Sequence, residues 1–297
     1  MNPLYRNDRQ GVLPDSWYVA STDIPADRPT LKGEVTADVC IVGAGFTGLS
    51  AARHLASKGL DVVVVDAHRV GFGASGRNGG QVCSGYNVPM RKLAETYGAD
   101  HARRLWDLAE EAKDDLRGLC QTEIPEAQYK PGIAEAAAKP GEVDGMHRDA
   151  EFLQQAYGHG TVHPLDRAGI NDLIKTDSYF GGHLDLGAGH IHPLRYVFGL
   201  ARLAEKAGAR IYERSEVHHI AHGASAVVCT SQGRIKAQHV ILAGNGYLPN
   251  IERKVSAKIL PVNSFIAATE PLGELAAEIL SQDIAVSDSK FVLNYYR

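Results

Sequence analysis

Long apolar runs are missing from this 297-residue chain: its richest stretches, Val39–Val42 and Val62–Val65, are the size of strands. A bilayer-crossing helix needs about 20 apolar residues, so no membrane span is expected. Cysteine is scarce, with four residues (Cys40, Cys83, Cys120, Cys229) far apart and no CxxC pair. That spacing speaks against a zinc site and a disulfide framework, and suits a reducing cytoplasm. Charge of one sign is lacking too. With a formal net charge of -4, nothing draws the chain to nucleic acid or to an anionic lipid surface. The N-terminal residues have no apolar core of the kind a signal peptide carries. What remains is an ordinary globular composition, 44% hydrophobic and 22% charged, long enough for about two domains.

The most informative segment starts at Ala37. An apolar strand (Ala37–Val42) runs into Gly43-Ala44-Gly45-Phe46-Thr47-Gly48, then a helix from Thr47 to Lys58, then the strand-like run Asp61–Asp66. Strand, helix and strand within some 30 residues define a right-handed βαβ unit. Val62–Val65 is an unbroken β-branched run, as parallel strands covered on both faces require. The turn follows the GxGxxG spacing, and Asp66 lies 18 residues past Gly48 at the end of the second strand. Each part has a physical reason: Gly43 for the tight turn, Gly45 for close approach of backbone to a pyrophosphate, Gly48 for helix–strand packing. The helix start offers N–H groups and the positive end of its dipole to phosphate. The Asp66 carboxylate can accept from ribose hydroxyls and would repel a 2′-phosphate, which disfavours NADP.

NAD and FAD share an ADP half, so this turn cannot choose between them. The stretch after Asp66 does. Instead of another helix, a glycine-rich loop (Gly71–Gln81) runs on, suited to following an extended cofactor, with Arg77 as a positive charge. Further along, the periodicity predicts helices over 90–120, 141–157, 165–174 and 193–207 and strands over 128–138, 210–212, 226–230, 237–242 and 291–296. Residues 179–191 read as extended.

The runs ADVCIVGAGFTGLSAARHLASKG and VVVVDAHRVGFGASGRNGGQV resemble the FAD-binding half of the D-amino-acid oxidase superfamily of FAD-dependent oxidoreductases. Ser16-Trp17-Tyr18, GGHLDLGAGHIHPL, ILAGNGYL and FVLNYYR further resemble its γ-glutamylputrescine oxidase group. The resemblance implies an α/β fold: a Rossmann-like FAD-binding domain of the GR2 type with an interleaved α+β substrate domain, incomplete at the C-terminus. It implies a lead-in over 1–36, a discontinuous FAD-binding domain over 37–95 and 160–255, and a partial substrate domain over 96–159 and 256–297. It also implies FAD as the cofactor.

Carried onto this chain, the resemblance places Gly43, Gly45, Phe46, Thr47 and Gly48 at the pyrophosphate, and Asp66 with Ala67 at the adenosine ribose. Ser75, Arg77, Asn78, Gly79, Gly80 and Gln81 would run towards the flavin ring. Val217 would lie on the strand facing adenine, and Ala243, Gly244 and Asn245 at a second glycine-bearing strand end. His190, His192, Tyr295 and Tyr296 are candidates for the substrate cavity. His190 and His192 stand at i and i+2 in an extended segment, which points them to opposite faces and makes them a poor metal pair. The implied chemistry is oxidation of a small amine to an imine and then an aldehyde. Ammonia is released, and dioxygen or another acceptor takes the electrons. A D-amino-acid or sarcosine-type dehydrogenase and a non-catalytic flavin-fold remnant are the alternatives. Because family members run on past the equivalent of Arg297, the chain alone is expected to bind FAD weakly and turn over poorly.

Overall fold

The computed structural model describes residues 9–248 and 251–297, so residues 1–8 of the lead-in and 249–250 of the expected FAD-binding domain lie outside the described residues. The chain runs α1 (Trp17–Ala20), β1 (Gly33–Val42), α2 (Phe46–Ser57), β2 (Val62–Val65), β3 (Gln81–Val82), α3 (Met90–Tyr97) and α4 (Ala99–Thr122). It continues through β4 (Lys130–Ala136), α5 (Val143–Tyr157), β5 (Val162–Leu165), α6 (Arg167–Ile174), β6 (Gly182–His190), α7 (Pro193–Lys206) and β7 (Arg210–Tyr212). The last elements are β8 (Val217–Ala221), β9 (Ala226–Thr230), β10 (Gly233–Leu242), α8 (Arg253–Ser256), α9 (Leu275–Ile279), β11 (Ala285–Asp288) and β12 (Tyr295–Tyr296).

These elements group into two compact units, residues 1–78 with 193–268, and residues 79–192 with 269–297. The first holds a sheet of order β7-β2-β1-β10-β9-β8. Its core is parallel: β1 pairs with β2 (Val39↔Val62, Val42↔Val65) and with β10 over its whole length (Gly33↔Gly233, Val42↔Leu242). All four valines of β2 are fully buried, as their unbroken β-branched run requires. Each such side chain contributes roughly 1.5–3 kcal/mol by leaving water. Helix α2 packs on β2 and α7 through Leu49, Ala52 and Ala56, one face at helical spacing. Cys40 is a core residue, and burial pushes its thiol up to about 12.

The second unit holds a sheet of order β12-β11-β4-β6-β3, with β5 pairing β6 off that path. This pairing corrects the expected domain division. Residues 79–95 and 160–192 belong here, because β3 and β5 find their hydrogen-bond partners on β6 and not in the parallel sheet. Residues 256–268 belong to the first unit. The expected strand over 291–296 shortens to Tyr295–Tyr296. Asp288 Oδ1 accepts from the N–H groups of Lys290 and Asn294, which bends the intervening residues into a loop. The irregular lead-in also proves partly ordered, with α1 capped by the Ser16 hydroxyl at the N–H of Val19.

Candidate functional site

In the first unit β1 ends in a turn that only glycine can make. Gly43 sits at φ +113°, in the left-handed region, and a Cβ there would lie 2.5 Å from the Ala243 carbonyl oxygen. At Gly48 a Cβ would stand 1.9 Å from the Gly43 oxygen, so helix and strand touch backbone to backbone. Gly45 is the N-cap of α2 and brings no side chain to cap the helix. Instead, the Phe46 N–H donates to Ser75 Oγ at 3.0 Å, tying the first turn to the loop after β2. The positive end of α2 and its remaining first-turn amides are thus presented to an anion.

Asp66 closes the other side. Its Oδ2 accepts from the Ala44 N–H at 2.7 Å and its Oδ1 from the His68 N–H at 2.8 Å. Burial pushes this carboxyl up to about 6, against the opposing pull of those two N–H groups; the nearby Glu213 charge adds to the rise. Each oxygen keeps a lone pair for a further donor. His68 stacks face to face on Phe72 (centroids 3.7 Å apart, planes at 3°) and accepts from the Gly11 N–H through Nδ1 at 3.1 Å.

These groups line a cavity of about 900 Å³, counting its open mouth. Of the residues expected from sequence it gathers Gly43, Gly45, Asp66, Ala67, Ser75, Val217, Ala243, Gly244 and Asn245. Phe46, Thr47 and Gly48 form the first turn of α2 beside it. Arg77 and Asn78 are turned to other work. The Arg77 guanidinium lies 4.7 Å over the Phe72 ring and its Nε donates to the Phe72 carbonyl. Asn78 Nδ2 donates to the carbonyls of Ala74 and Ser75, and its own carbonyl accepts from Tyr18 Oη. Phe72 comes from the expected Gly71–Gln81 loop, whereas His68, Ser215, Glu216, Tyr247, Leu248 and Ile251 also line the wall and were not singled out from sequence.

The remaining candidates lie in the second unit. Gly79, Gly80 and Gln81 lead into β3, with the Gly80 carbonyl accepting from Ile191 N–H and Gln81 paired to His190 across the sheet. His190 is buried; its Nδ1 accepts from Arg297 at 2.9 Å and its Nε2 faces the Asp283 carbonyl at 3.4 Å. Burial, then the Arg297 charge, lower its pKa, which keeps the ring neutral. His192 is also buried, with its N–H donating to the Ala127 carbonyl. Tyr295 rests against Gly79, and Tyr296 packs beside the cluster of Tyr179, Leu173 and Val286. Burial, then the Tyr179 hydroxyl, raise the Tyr296 phenol. Among the described residues no group of three or more His, Cys, Asp and Glu could hold a metal ion, and no helix is long and apolar enough to cross a membrane.

A parallel strand–helix–strand turn with an open helix start, faced by a carboxylate at the end of the second strand, is the frame of a dinucleotide-binding α/β protein. The diphosphate and ribose of FAD fit that donor and acceptor set. Residues 38–297 match the family model of the DAO type, FAD dependent oxidoreductase; the chain belongs to that family, and FAD is its cofactor. It is 38% identical over 284 residues to the gamma-glutamylputrescine oxidoreductase of Escherichia coli (strain K12), covering 95% of this chain and 66% of that protein. It is equally 38% identical to the "Probable oxidoreductase OrdL" of Rhizobium meliloti (strain 1021), with the same two coverages. The chain therefore spans about two thirds of the length of these relatives. Among solved structures, glycine oxidase from Geobacillus kaustophilus shares the fold, with a TM-score of 0.57 and 24% identity over 74% of this chain and 58% of that one.

Proposed function

We propose that this chain is the cofactor-binding part of an oxidoreductase that oxidises a small primary or secondary amine of the γ-glutamylputrescine kind. The observation that carries the reading is the alliance of the Gly43–Gly48 turn with Asp66 in one cavity, supported by the relatedness to the Escherichia coli enzyme over nearly the whole chain. Bound FAD supplies a two-electron acceptor for the hydride on the carbon beside the amine nitrogen.

The chain's own residues do the holding. The α2 amides and dipole take the diphosphate, Asp66 and Ala67 the adenosine ribose, and the Val217 strand end lies along the adenine side. Ala243, Gly244 and Asn245 line the same cavity beside the Gly43 turn. Of the second unit, Gly79, Gly80 and Gln81 are the candidates for contact with the flavin ring, and His190, His192, Tyr295 and Tyr296 for contact with the amine. For a primary amine the net reaction consumes amine, water and dioxygen and releases aldehyde, ammonia and hydrogen peroxide; a secondary amine releases a primary amine in place of ammonia. An electron acceptor other than dioxygen would spare the peroxide.

The test is to reconstitute the purified chain with FAD and add γ-glutamylputrescine without air. Slow loss of the bound flavin's visible absorbance over a single turnover, followed by peroxide when air is admitted, is the expected result. A protein that binds flavin but is not reduced by this or any small amine would overturn the substrate class. One that binds no flavin would overturn the whole assignment.

A further inference from the structure

Glu213, between β7 and β8, is buried to 1% exposure, yet no part of the cofactor turn needs a carboxylate there. Its oxygens are fully engaged. Oε2 accepts from the Arg28 N–H at 3.0 Å and Oε1 from the Val70 N–H at 3.0 Å, while Arg69 Nε lies 3.6 Å and Arg28 Nη1 3.5 Å away. A buried carboxylate is tolerated when it is paired and hydrogen-bonded in this way, and removing its charge leaves the partners stranded. Those partners come from two different stretches, the N-terminal segment and the loop after Asp66. Glu213 joins both to its own.

The backbone repeats the connection. The Glu213 N–H donates to the Pro29 carbonyl, the Leu31 N–H to Ser215 Oγ, and the Ser215 N–H to the Asp66 carbonyl at 2.7 Å. Arg69 donates to the Pro25 carbonyl and pairs with Asp27, which also meets Arg214. Farther out, Gln10 Nε2 donates to the Ala67 carbonyl at 3.2 Å and the Gly11 N–H to His68. Residues 10–31 are thus tied at both ends, through 10–11 and 25–31, to the segments 66–70 and 213–215, which carry the cavity-lining Asp66, Ala67, His68 and Ser215.

We propose that Glu213 is a positioning residue for the dinucleotide site, and that residues 10–31 form a strap that it clasps across the outer side of the Asp66 wall. The strap fixes how long the cofactor stays, not what chemistry follows. This rests on the assignment of the cavity to FAD. Linkage then requires reciprocity: a strap that steadies the bound cofactor is itself steadied by it.

Hydrogen exchange on the unmodified chain, with and without FAD, reads this directly. Slower exchange at both 43–48 and 10–31 on adding FAD is the expected result. Protection at 43–48 with none at 10–31 overturns the strap, whereas protection at neither overturns the FAD assignment beneath it. The second arm is Glu213→Gln. FAD should dissociate on the order of tenfold faster, a loss of about 1.4 kcal/mol. The pH at which FAD affinity falls should also move towards acid, because the Glu213 charge helps hold Asp66 protonated. A folded Glu213→Gln protein with unchanged dissociation and an unchanged pH midpoint would sink the assignment. Should that variant fail to fold, the exchange experiment decides alone.

Discussion

The first unit meets its site with main chain: glycine turns, uncapped helix amides and a carboxylate, Asp66, whose own donors are two backbone N–H groups. The second unit buries side chains instead. Asp185 accepts from Ser84 Oγ (2.7 Å), His159 Nε2 (2.9 Å) and the Gly187 N–H (2.8 Å), and Lys113 Nζ donates to both Ser84 and Glu110. The consequences have opposite sign. Burial pushes Asp66 up to about 6. Burial would also raise Asp185, but the His159 and Ser84 bonds outweigh it and hold the carboxyl well below the usual range. Two backbone donors steady a geometry; an imidazole and a hydroxyl added to a single amide steady a charge. The first arrangement leaves lone pairs for a ligand, and the second leaves almost none.

The largest expected effect is at the backbone. Gly48→Ala places a methyl on the Gly43 carbonyl, so the turn must open. Loss of about 3 kcal/mol of stability and on the order of 100-fold in FAD affinity should appear in denaturant titration and flavin binding. If both stay near wild type, the first unit does not depend on its main chain in the way described. Asp185→Asn should cost a similar amount of stability, about 3 kcal/mol, by removing the charge that His159 and Ser84 bond. FAD affinity should move far less, and an equal fall in both would erase the contrast between the units.

Asp66→Asn should weaken FAD by roughly tenfold, about 1.4 kcal/mol. Wild-type affinity should fall as pH drops through about 6, where the carboxyl gains its proton. That dependence should vanish in the variant, as titration calorimetry at several pH values would show. The smallest effect is on the cofactor-free protein. Asp66, raised on folding, contributes stability that is complete below its ordinary value of 3.8 and lost as pH rises through about 6. Asp185, depressed, contributes above 3.8 and loses that contribution as acid takes the pH below it. Opening free energies from exchange, corrected for the intrinsic pH dependence of the amides, should therefore fall with rising pH between 3.8 and about 6 in the first unit and fall with added acid below 3.8 in the second.

Which residues could be read in advance follows the same division. Gly43, Gly48 and Asp66 act within one βαβ unit, so spacing along the chain is spacing in the site. The strand–helix–strand order of β1, α2 and β2 needed nothing more. Glu213 meets Arg28 from 185 positions away and Ser84 meets Asp185 from 101, and each alone reads as an ordinary polar residue. The resemblance supplied Val217 and Asn245, which local pattern could not. Alternation over 291–296 misled because it took no account of the Asp288 side chain capturing the turn. β5 was hidden by Pro164, which a strand tolerates at a sheet margin.

The pairing of β1 with β10 joins Glu34 to Arg234, 200 positions apart, with most of the second unit lying between them in the chain. A ribosome delivers β1, α2 and β2 early, but β10 emerges only after that insertion is complete. Loop closure on this scale is slow, and until it happens one margin of a buried-type strand waits unpaired. Synthesis therefore passes through an interval in which the insertion can already be shaped while the nucleotide crevice is not. That interval is when the growing chain should most need a chaperone, and FAD can end it only once β10 has arrived.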